Sequence, residues 1–201
     1  MAVSSSSKSA KAQIRKAPKP YRMGNSVSAT ALLRRGSDRA FQKLVFDLFS
    51  VAARLERVRV HFASRVGISG PQYTLLRAVA SLQGEEGVSI GTVAEHLHVT
   101  SAFVTAQSGL LVQRNFISKK DDSTDRRISR LSLTANGERL VDELIKEVRP
   151  LNDLFFGRLR KDEFDALTGI MGKLLDSSRD AMVHLNSQAQ AQLLSSRDHR
   201  L

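Results

Sequence analysis

Hydrophobic residues recur three and four positions apart along most of the chain, which is the spacing of an amphipathic helix. The first such stretch follows Ser37, a candidate N-cap, and ends near Gly67. Ser69 precedes a second stretch, in which Gln72 completes a capping-box pair and Pro71 suits the first helical turn. The pattern therefore predicts one long helix and a second helix that continues towards position 82.

Two shorter helices are predicted in the middle of the chain. The first begins at Ser89 and ends near Leu97, and the second begins at Thr100 and ends near Arg114. A turn of about three residues joins them, and so short a turn between two helices is typical of a helix-turn-helix motif. The second of the pair is then the predicted recognition helix.

Strand-like residues follow this motif. Asn115 can take the left-handed conformation that ends a helix. Residues 116–120 and 128–133 are rich in β-branched side chains and alternate in polarity, while residues 121–127 between them are polar and charged. This stretch predicts a β-hairpin with a charged tip, which is a wing.

Two more helices are predicted after the wing. The first follows Thr134 as N-cap and contains Pro150, which predicts a kink or a break. The second begins near Lys161, and its apolar stripe extends to position 185. The predicted fold class is mainly α with a small β wing. The predicted divisions are an N-terminal arm at 1–36, helical dimerisation segments at 37–66 and 134–185, a winged helix-turn-helix at 69–133, and a polar tail at 186–201.

The charge balance favours a polyanionic partner. The 201 residues include 31 Lys and Arg against 20 Asp and Glu, a formal net charge of +11, and the isoelectric point is near 10.5. Such a surplus favours nucleic acid first and a membrane surface second. The absence of cysteine from the sequence excludes disulfides, thiol chemistry and cysteine-ligated metals.

Much of the positive surplus lies in residues 1–36, which hold eight Lys or Arg and no acidic residue. This segment is rich in serine and contains Pro18 and Pro20, so it cannot bury enough apolar surface to order itself. We therefore predict a disordered basic arm. Both a solvated tail and an arm that attracts phosphates fit this composition, and a transit peptide is a minor third interpretation.

Several other classes of protein are not expected. No stretch approaches the roughly 18 uninterrupted apolar residues of a membrane helix, and no hydrophobic segment follows the N-terminal lysines as a secretory signal requires. The sequence contains no nucleophile-base motif and no phosphate-binding glycine-rich loop, so we predict neither an enzyme nor a cofactor. His96 and His98 do not share a helix face, so no metal site is predicted.

The predicted wing carries the most specific motif of the chain. Its tip, at residues 122–127, reads Asp-Ser-Thr-Asp-Arg-Arg, and the next strand leads through Leu133 and Thr134 to Gly137. With the order of the helices, this motif resembles the MarR family of winged helix-turn-helix transcriptional regulators over residues 40–182. The resemblance implies a homodimer, in which the first, fifth and sixth helices of both subunits interlock. It also implies double-stranded DNA with an inverted-repeat operator as the partner.

The resemblance further implies that the recognition helix and the wing contact DNA. Hydroxyls near the start of the recognition helix can meet phosphates and base edges. Arg127 occupies the place of the family's wing-tip arginine, where Asp125 could orient it towards a narrow minor groove. The predicted DNA-binding residues are Thr100, Ser101, Thr105, Gln107, Lys119, Lys120, Asp125, Arg126, Arg127 and Arg130, of which Lys119, Lys120, Arg126 and Arg130 would contact phosphates.

Two positions depart from the family's pattern. His98 stands at the turn, where helix-turn-helix motifs usually have glycine, and histidine tolerates a left-handed backbone better than most residues. Ala106 stands where relatives often carry arginine, and Gly109 and Leu110 are also uncharged, so direct guanine readout is poorly supplied. Specificity would then rest on Gln107, the hydroxyls and DNA shape, unless Gln107 points inward.

In similar proteins, the first two helices line a cleft that binds small acids or phenols. The candidate effector-binding residues here are Arg57, His61, Tyr73 and Arg77, which could equally be ordinary surface or core. We therefore predict a transcriptional regulator, a repressor relieved by a small aromatic or acidic effector. Its expected location is the bacterial or archaeal cytoplasm, on the nucleoid.

Two other functions remain open. A dry, apolar cleft would favour an effector-independent protein that coats or remodels DNA. A wing whose arginines are tied up in intramolecular ion pairs would favour a sensor or scaffold that has lost DNA binding.

Overall fold

The computed structural model describes residue 21 and residues 23–198, and it confirms a mainly helical fold with a small antiparallel sheet. A short 3-10 helix at Thr30–Leu32 precedes the first long helix. The helices are α1 (Arg39–Arg65), α2 (Gly70–Leu82), α3 (Ile90–Leu97), α4 (Ser101–Gln113), α5 (Ala135–Phe156) and α6 (Lys161–Asp198), and the strands are β1 (Val88–Ser89), β2 (Ile117–Asp121) and β3 (Ser129–Leu133).

Contacts divide the chain into two units, with the division after Val58 inside α1. In the first unit, the start of α1 is organised by Asp38, which is 3% exposed. Its carboxylate accepts hydrogen bonds from the backbone N and the hydroxyl of Ser26 at 2.6 and 2.7 Å and from the side chain of Gln42 at 3.0 Å. These bonds, those from Ser26 foremost, hold the pKa of Asp38 below its usual value. Asp38 therefore stands immediately before α1, where Ser37 was predicted.

The predicted arm is only partly within the described residues. Residues 1–20 and 22 lie outside them, so disorder there stays a prediction. The stretch just before α1 contains the 3-10 helix and an isolated bridge between Arg34 and Ser37. Asn25 also donates from its side chain to the Gly36 carbonyl at 2.9 Å. A hydrogen-bonded segment thus leads into α1.

The second unit contains the winged helix-turn-helix core. Leu76, Val79, Val93, Leu111 and Leu131 are fully buried, so α2, α3, α4 and β3 share one hydrophobic core. The sheet has the order β1-β3-β2, and both pairs are antiparallel. Because β3 is central, the hairpin of β2 and β3 is attached to the core through its second strand.

The predicted helix starts of this unit are confirmed by their caps. The Ser69 hydroxyl accepts from the Gln72 backbone N at 3.3 Å, and the Gln72 side chain accepts from the Ser69 backbone N at 2.9 Å, which completes the capping box. Thr134 caps α5 by accepting from the Gly137 backbone N at 3.1 Å. A side chain at Gly137 would overlap the Phe116 carbonyl, so glycine allows the close contact between the start of α5 and the residue before β2.

The two C-terminal helices are longer than predicted. α5 continues through Pro150 to Phe156 without a break, although proline removes one helical hydrogen bond. α6 continues to Asp198, whereas a polar tail was predicted from residue 186 onward. Residues 186–198 contain no glycine or proline, and their alanines, glutamines and leucines favour helix. Among residues 21 and 23–198, no helix has the length and apolarity to cross a membrane.

Candidate nucleic-acid interface

A turn with one left-handed residue joins α3 to α4, the predicted recognition helix. His98 has a φ of 54°, so the predicted left-handed turn residue is confirmed. Its Nδ1 lies 3.1 Å from an Nη2 of Arg179 on α6. The Thr100 hydroxyl accepts from the Phe103 backbone N at 3.1 Å and so caps the helix. The hydroxyl predicted to contact DNA therefore also holds the first turn of α4.

The burial pattern of α4 defines its exposed face. Val104, Ser108 and Leu111 are buried against the core, whereas Ser101 and Thr105 are exposed. Gln107, for which both an inward and an outward position were open, is half-buried at the border between the two faces. Of the residues predicted to contact DNA from α4, Ser101 and Thr105 are the more accessible.

The wing presents its cations from β2 and from the tip. Lys119, Lys120 and Arg126 are exposed. Asp125 accepts from Nε of Arg127 at 3.0 Å and from its Nη2 at 2.9 Å, while 90% of the Arg127 side chain remains exposed. The hydrogen bonds from Arg127 lower the pKa of Asp125. Asp125 therefore orients the guanidinium as predicted and leaves most of it accessible.

Arg130, which was predicted to contact phosphates, has hydrogen-bond partners within the protein. Its Nε donates to Asp122, and its Nη1 donates to the Gly87 carbonyl at 3.2 Å. The side chain is 32% exposed, since the register of the sheet places Arg130 beside β1. Its guanidinium is therefore paired within the protein, and its two hydrogen bonds join the wing to the residue before β1.

Asp122 begins the wing-tip motif but was not among the predicted functional residues. It is 5% exposed and accepts from the backbone N and hydroxyl of Thr124 at 2.8 and 2.6 Å and from the Asp125 backbone N at 3.1 Å. An aspartate that bonds the backbone two residues later forms an Asx turn, so the Asp-x-Thr spacing was an available signal. The turn at the tip is thus built around one carboxylate.

Replacing Asp122 by asparagine is expected to destabilise the fold in a pH-dependent way. Hydrogen bonds from Thr124 and then Arg130 hold the pKa of the Asp122 carboxyl well below its usual value. The carboxylate therefore stabilises the fold fully above the unfolded pKa of 3.8, and this contribution declines as the pH falls towards the folded pKa. Denaturant unfolding from pH 7 to pH 3 should show the variant's deficit shrinking below the unfolded pKa.

The neighbouring exposed residue supplies the control. Asp121→Asn changes the same net charge at the end of β2 and should leave the free energy of unfolding nearly unchanged at each pH. An Asp122→Asn deficit that is the same at pH 7 and pH 3 would contradict the assigned role of the carboxylate.

The predicted effector residues are only partly brought together. The ring of Tyr73 stacks on Phe62 with centroids 6.4 Å apart, and its hydroxyl accepts from Nη1 of Arg77 at 3.4 Å. His61 is exposed and meets Phe62 edge-on at 5.2 Å. Arg57 is an exposed residue of α1 in the first unit.

A cavity of about 430 Å³ lies between α2, β3 and α5. Its lining includes Arg77 but neither His61 nor Tyr73. Glu138 and Asp142 add two carboxylates to an otherwise mixed surface that includes Leu133 and Ile145. Arg77 also borders a second cavity of about 230 Å³ between α2 and α5. Arg77 is therefore a predicted effector residue that lines both of these cavities.

Comparison with known proteins finds similarity to one family and to regulators of transcription. Residues 66–128 match the family model described as MarR family. Over 110 residues the chain is 26% identical to the transcriptional regulator HosA of Escherichia coli, covering 55% of this chain and 79% of HosA. Over 137 residues it is 23% identical to the transcriptional repressor MdtR of Bacillus subtilis, covering 68% of this chain and 88% of MdtR. Both relatives are described as regulators of transcription.

The fold is shared with solved structures. A cysteine-to-serine variant of Escherichia coli MarR, complexed with operator DNA, matches with a TM-score of 0.55 at 19% identity, covering 66% of this chain and 94% of that one. The family match spans the helix-turn-helix and most of the hairpin, and the structural match covers 66% of this chain. The chain shares the winged-helix fold of this structure, and its residues 66–128 are similar to the MarR family.

Proposed function

We propose that the chain is a homodimeric, sequence-specific DNA-binding repressor of transcription, which binds an inverted-repeat operator in the bacterial or archaeal cytoplasm. The observation that carries this proposal is the exposed Arg127, which Asp125 holds at the tip of the hairpin that follows the recognition helix. An arginine on a thin hairpin suits the narrow, electronegative minor groove. The repressor role is supported by the relative MdtR, which is a repressor.

The competing function is a sensor or scaffold that has lost DNA binding, which intramolecular ion pairs of the wing arginines would favour. Arg130 is indeed tied to Asp122, and Arg127 is paired with Asp125. However, Asp125 engages Nε and Nη2 of Arg127 while the side chain remains 90% exposed. Because the pairing orients the guanidinium without covering it, the wing favours DNA binding over the sensor.

A homodimer is supported by the apolar surface of α6. Of its described side chains, which extend to residue 192, all but Glu163 are exposed. Large hydrophobic residues that include Leu167, Met171, Leu174 and Met182 are 38–54% exposed. A water-exposed apolar stripe of this length is a helix face that needs a partner. A second copy would cover it and would present two recognition helices related by a two-fold axis.

The proposal is tested by selection from a library of random duplexes with the full-length chain, followed by footprinting of the enriched duplex. We expect an inverted repeat whose half-site centres are about 10–10.5 base pairs apart, or a multiple of this distance. Protection should lie on one face of the duplex. Failure to enrich any duplex at moderate salt, or protection of a single asymmetric half-site, would contradict the proposal.

A small-molecule effector is supported by the cavity beside Arg77. Its volume of about 430 Å³ lies in the range of small-ligand sites, and its lining combines an arginine with apolar and acidic groups. Because the lining contains charged as well as apolar side chains, it favours an effector over the effector-independent coating of DNA, for which a dry, apolar cleft was expected. The arginine would hold the carboxylate of a small aromatic acid.

Benzoate titrated against the complex with the selected duplex tests this part of the proposal. Benzoate should release DNA from the wild type. Arg77→Met should need a higher benzoate concentration for the same release, because it loses the guanidinium but keeps much of the side-chain volume. Arg139→Met, on the exposed surface of α5, serves as the charge-matched control. A complex insensitive to benzoate in all three proteins would favour the effector-independent alternative.

Removal of residues 1–22 is expected to weaken binding to all sequences alike and to flatten the dependence of affinity on salt. This segment holds six of the eight positive charges of the arm, and phosphate neutralisation gives a slope of about −0.9 per contact. The truncation keeps Asn25 and Ser26, which contact Gly36 and Asp38. Affinity for selected and scrambled duplexes at several salt concentrations measures the effect. A slope equal to that of the full chain would leave the arm as a solvated tail.

A further inference from the structure

The face of α4 that points away from the core carries no ionisable group. Residues 99–113 contain no Asp, Glu, Lys, Arg or His. With Val104, Ser108 and Leu111 buried, the 100° rotation per residue of a helix places Ala102 and Ala106 on the opposite side. Both alanines are exposed. The charges of the candidate interface lie instead on the wing.

The exposed groups in the first half of α4 are largely hydrocarbon. Phe103 is 39% exposed, and Thr105 presents a methyl group together with its hydroxyl. In recognition helices, the N-terminal residues are the ones that reach base edges. The face that would enter the major groove therefore offers methyl and aromatic groups and few hydrogen-bond donors.

The four bases differ in what they require from such a face. Guanine is read in the major groove by Arg or Lys, adenine by Asn or Gln, and cytosine by Asp or Glu, whereas the C5-methyl group of thymine is read by apolar contact with Ala, Phe or the methyl of Thr. The exposed start of α4 supplies the last set of groups. An apolar face also leaves the polar edge of a guanine unpaired, which costs affinity.

We propose that α4 reads thymine C5-methyl groups in the major groove through Ala102, Phe103, Thr105 and Ala106, so that thymines define the centre of each half-site. This inference rests on the proposed function. It assigns hydrophobic contact to the recognition helix, and it assigns phosphate attraction and minor-groove contact to the wing. Such a protein recognises a pattern of methyl groups.

The test compares thymine with deoxyuridine in the duplex selected by the full-length chain, because uracil lacks only the methyl group and keeps the base pair. Replacing the half-site thymines should weaken binding about fourfold for each buried methyl. Replacing thymines in the flanks beneath the wing should change nothing, since the methyl group lies in the major groove. At a sensitive position, cytosine should bind weakly and 5-methylcytosine should recover part of the loss.

Variants at Thr105 separate the methyl from the hydroxyl. Thr105→Ser removes the methyl and should make binding less sensitive to uracil, whereas Thr105→Val keeps the methyl and should preserve the sensitivity. Ala106→Gly should also make binding less sensitive to the replacement of thymine by uracil. Ala189→Gly, at an exposed position of α6, controls for the effect of glycine in a helix.

The outcomes separate this inference from the proposed function. A chain that enriches no duplex overturns both. A chain that enriches a duplex but binds its thymine and uracil forms equally overturns the methyl readout alone. Enrichment of half-sites centred on guanine would also overturn it.

Discussion

Leu174→Asp is expected to convert the proposed dimer into monomers at micromolar concentration and to abolish tight operator binding. Leu174 lies near the middle of the apolar stripe of α6 and is 45% exposed in the single chain. A dimer interface with two-fold symmetry would lose two leucines and bury two carboxylates. Burial of a leucine contributes about 1.5–3 kcal/mol, and an unpaired buried charge costs several kcal/mol. Dimerisation should therefore weaken by roughly a thousandfold or more.

Light scattering across a concentration series measures this effect, and circular dichroism checks that the helices persist. Ser187→Asp, an exposed position near the opposite side of α6, places the same charge on the same helix and should leave the dimer intact. A wild-type chain that scatters as a folded monomer at micromolar concentration would remove the dimer from the proposal.

Arg127→Ala is expected to lower operator affinity by about tenfold to a hundredfold while the fold and the dimer stay intact, the scale of losing a specific arginine contact in a groove. The side chain is 90% exposed and its partner is the adjacent Asp125, so its loss leaves the core unchanged. Since a minor-groove arginine responds to groove width, the loss should be larger on operators with A·T-rich flanks than on those with G·C-rich flanks.

Titration of both proteins against flank-swapped duplexes at one salt concentration measures this difference. Lys120→Ala, on β2 of the same hairpin, removes one exposed charge and should cost less on every duplex, because a phosphate contact carries no sequence information. Equal affinities of wild type and Arg127→Ala on all duplexes would contradict the role of the wing tip and leave it as a solvated turn.

Local signals were sufficient to predict most of the fold. Ser69 and Thr134 cap helices as predicted because a hydroxyl at an N-cap satisfies free backbone N–H groups of the adjoining turn, and this requires only neighbouring residues. His98 took the left-handed turn for a similarly local reason. The pairing of Asp125 with Arg127 also follows from two positions in a tight turn. In each case, the partner is within a few residues in the chain.

Features that depend on partners far away in the sequence could not be predicted from local signals. Arg130 has the charge of a phosphate contact, but the register of β3 between β1 and β2 places it against Asp122 and the Gly87 carbonyl. The burial of Asp122 has the same origin. Continuous α5 through Pro150 shows the converse case, in which the rest of the helix outweighs a residue that locally opposes it.

The amino-acid pattern alone thus specified which segments form helices, where the turn and the wing occur, and which cation stands at the wing tip, because these depend on periodicity, caps and turn residues close together in the chain. Only the folded chain decided which cations of the wing remain exposed and which polar groups hold the wing, because strand register brings together residues as far apart as Gly87 and Arg130. The uncharged outer face of α4 needed both kinds of information: the residue types were visible in the sequence, but burial of Val104, Ser108 and Leu111 decided which of them face outward.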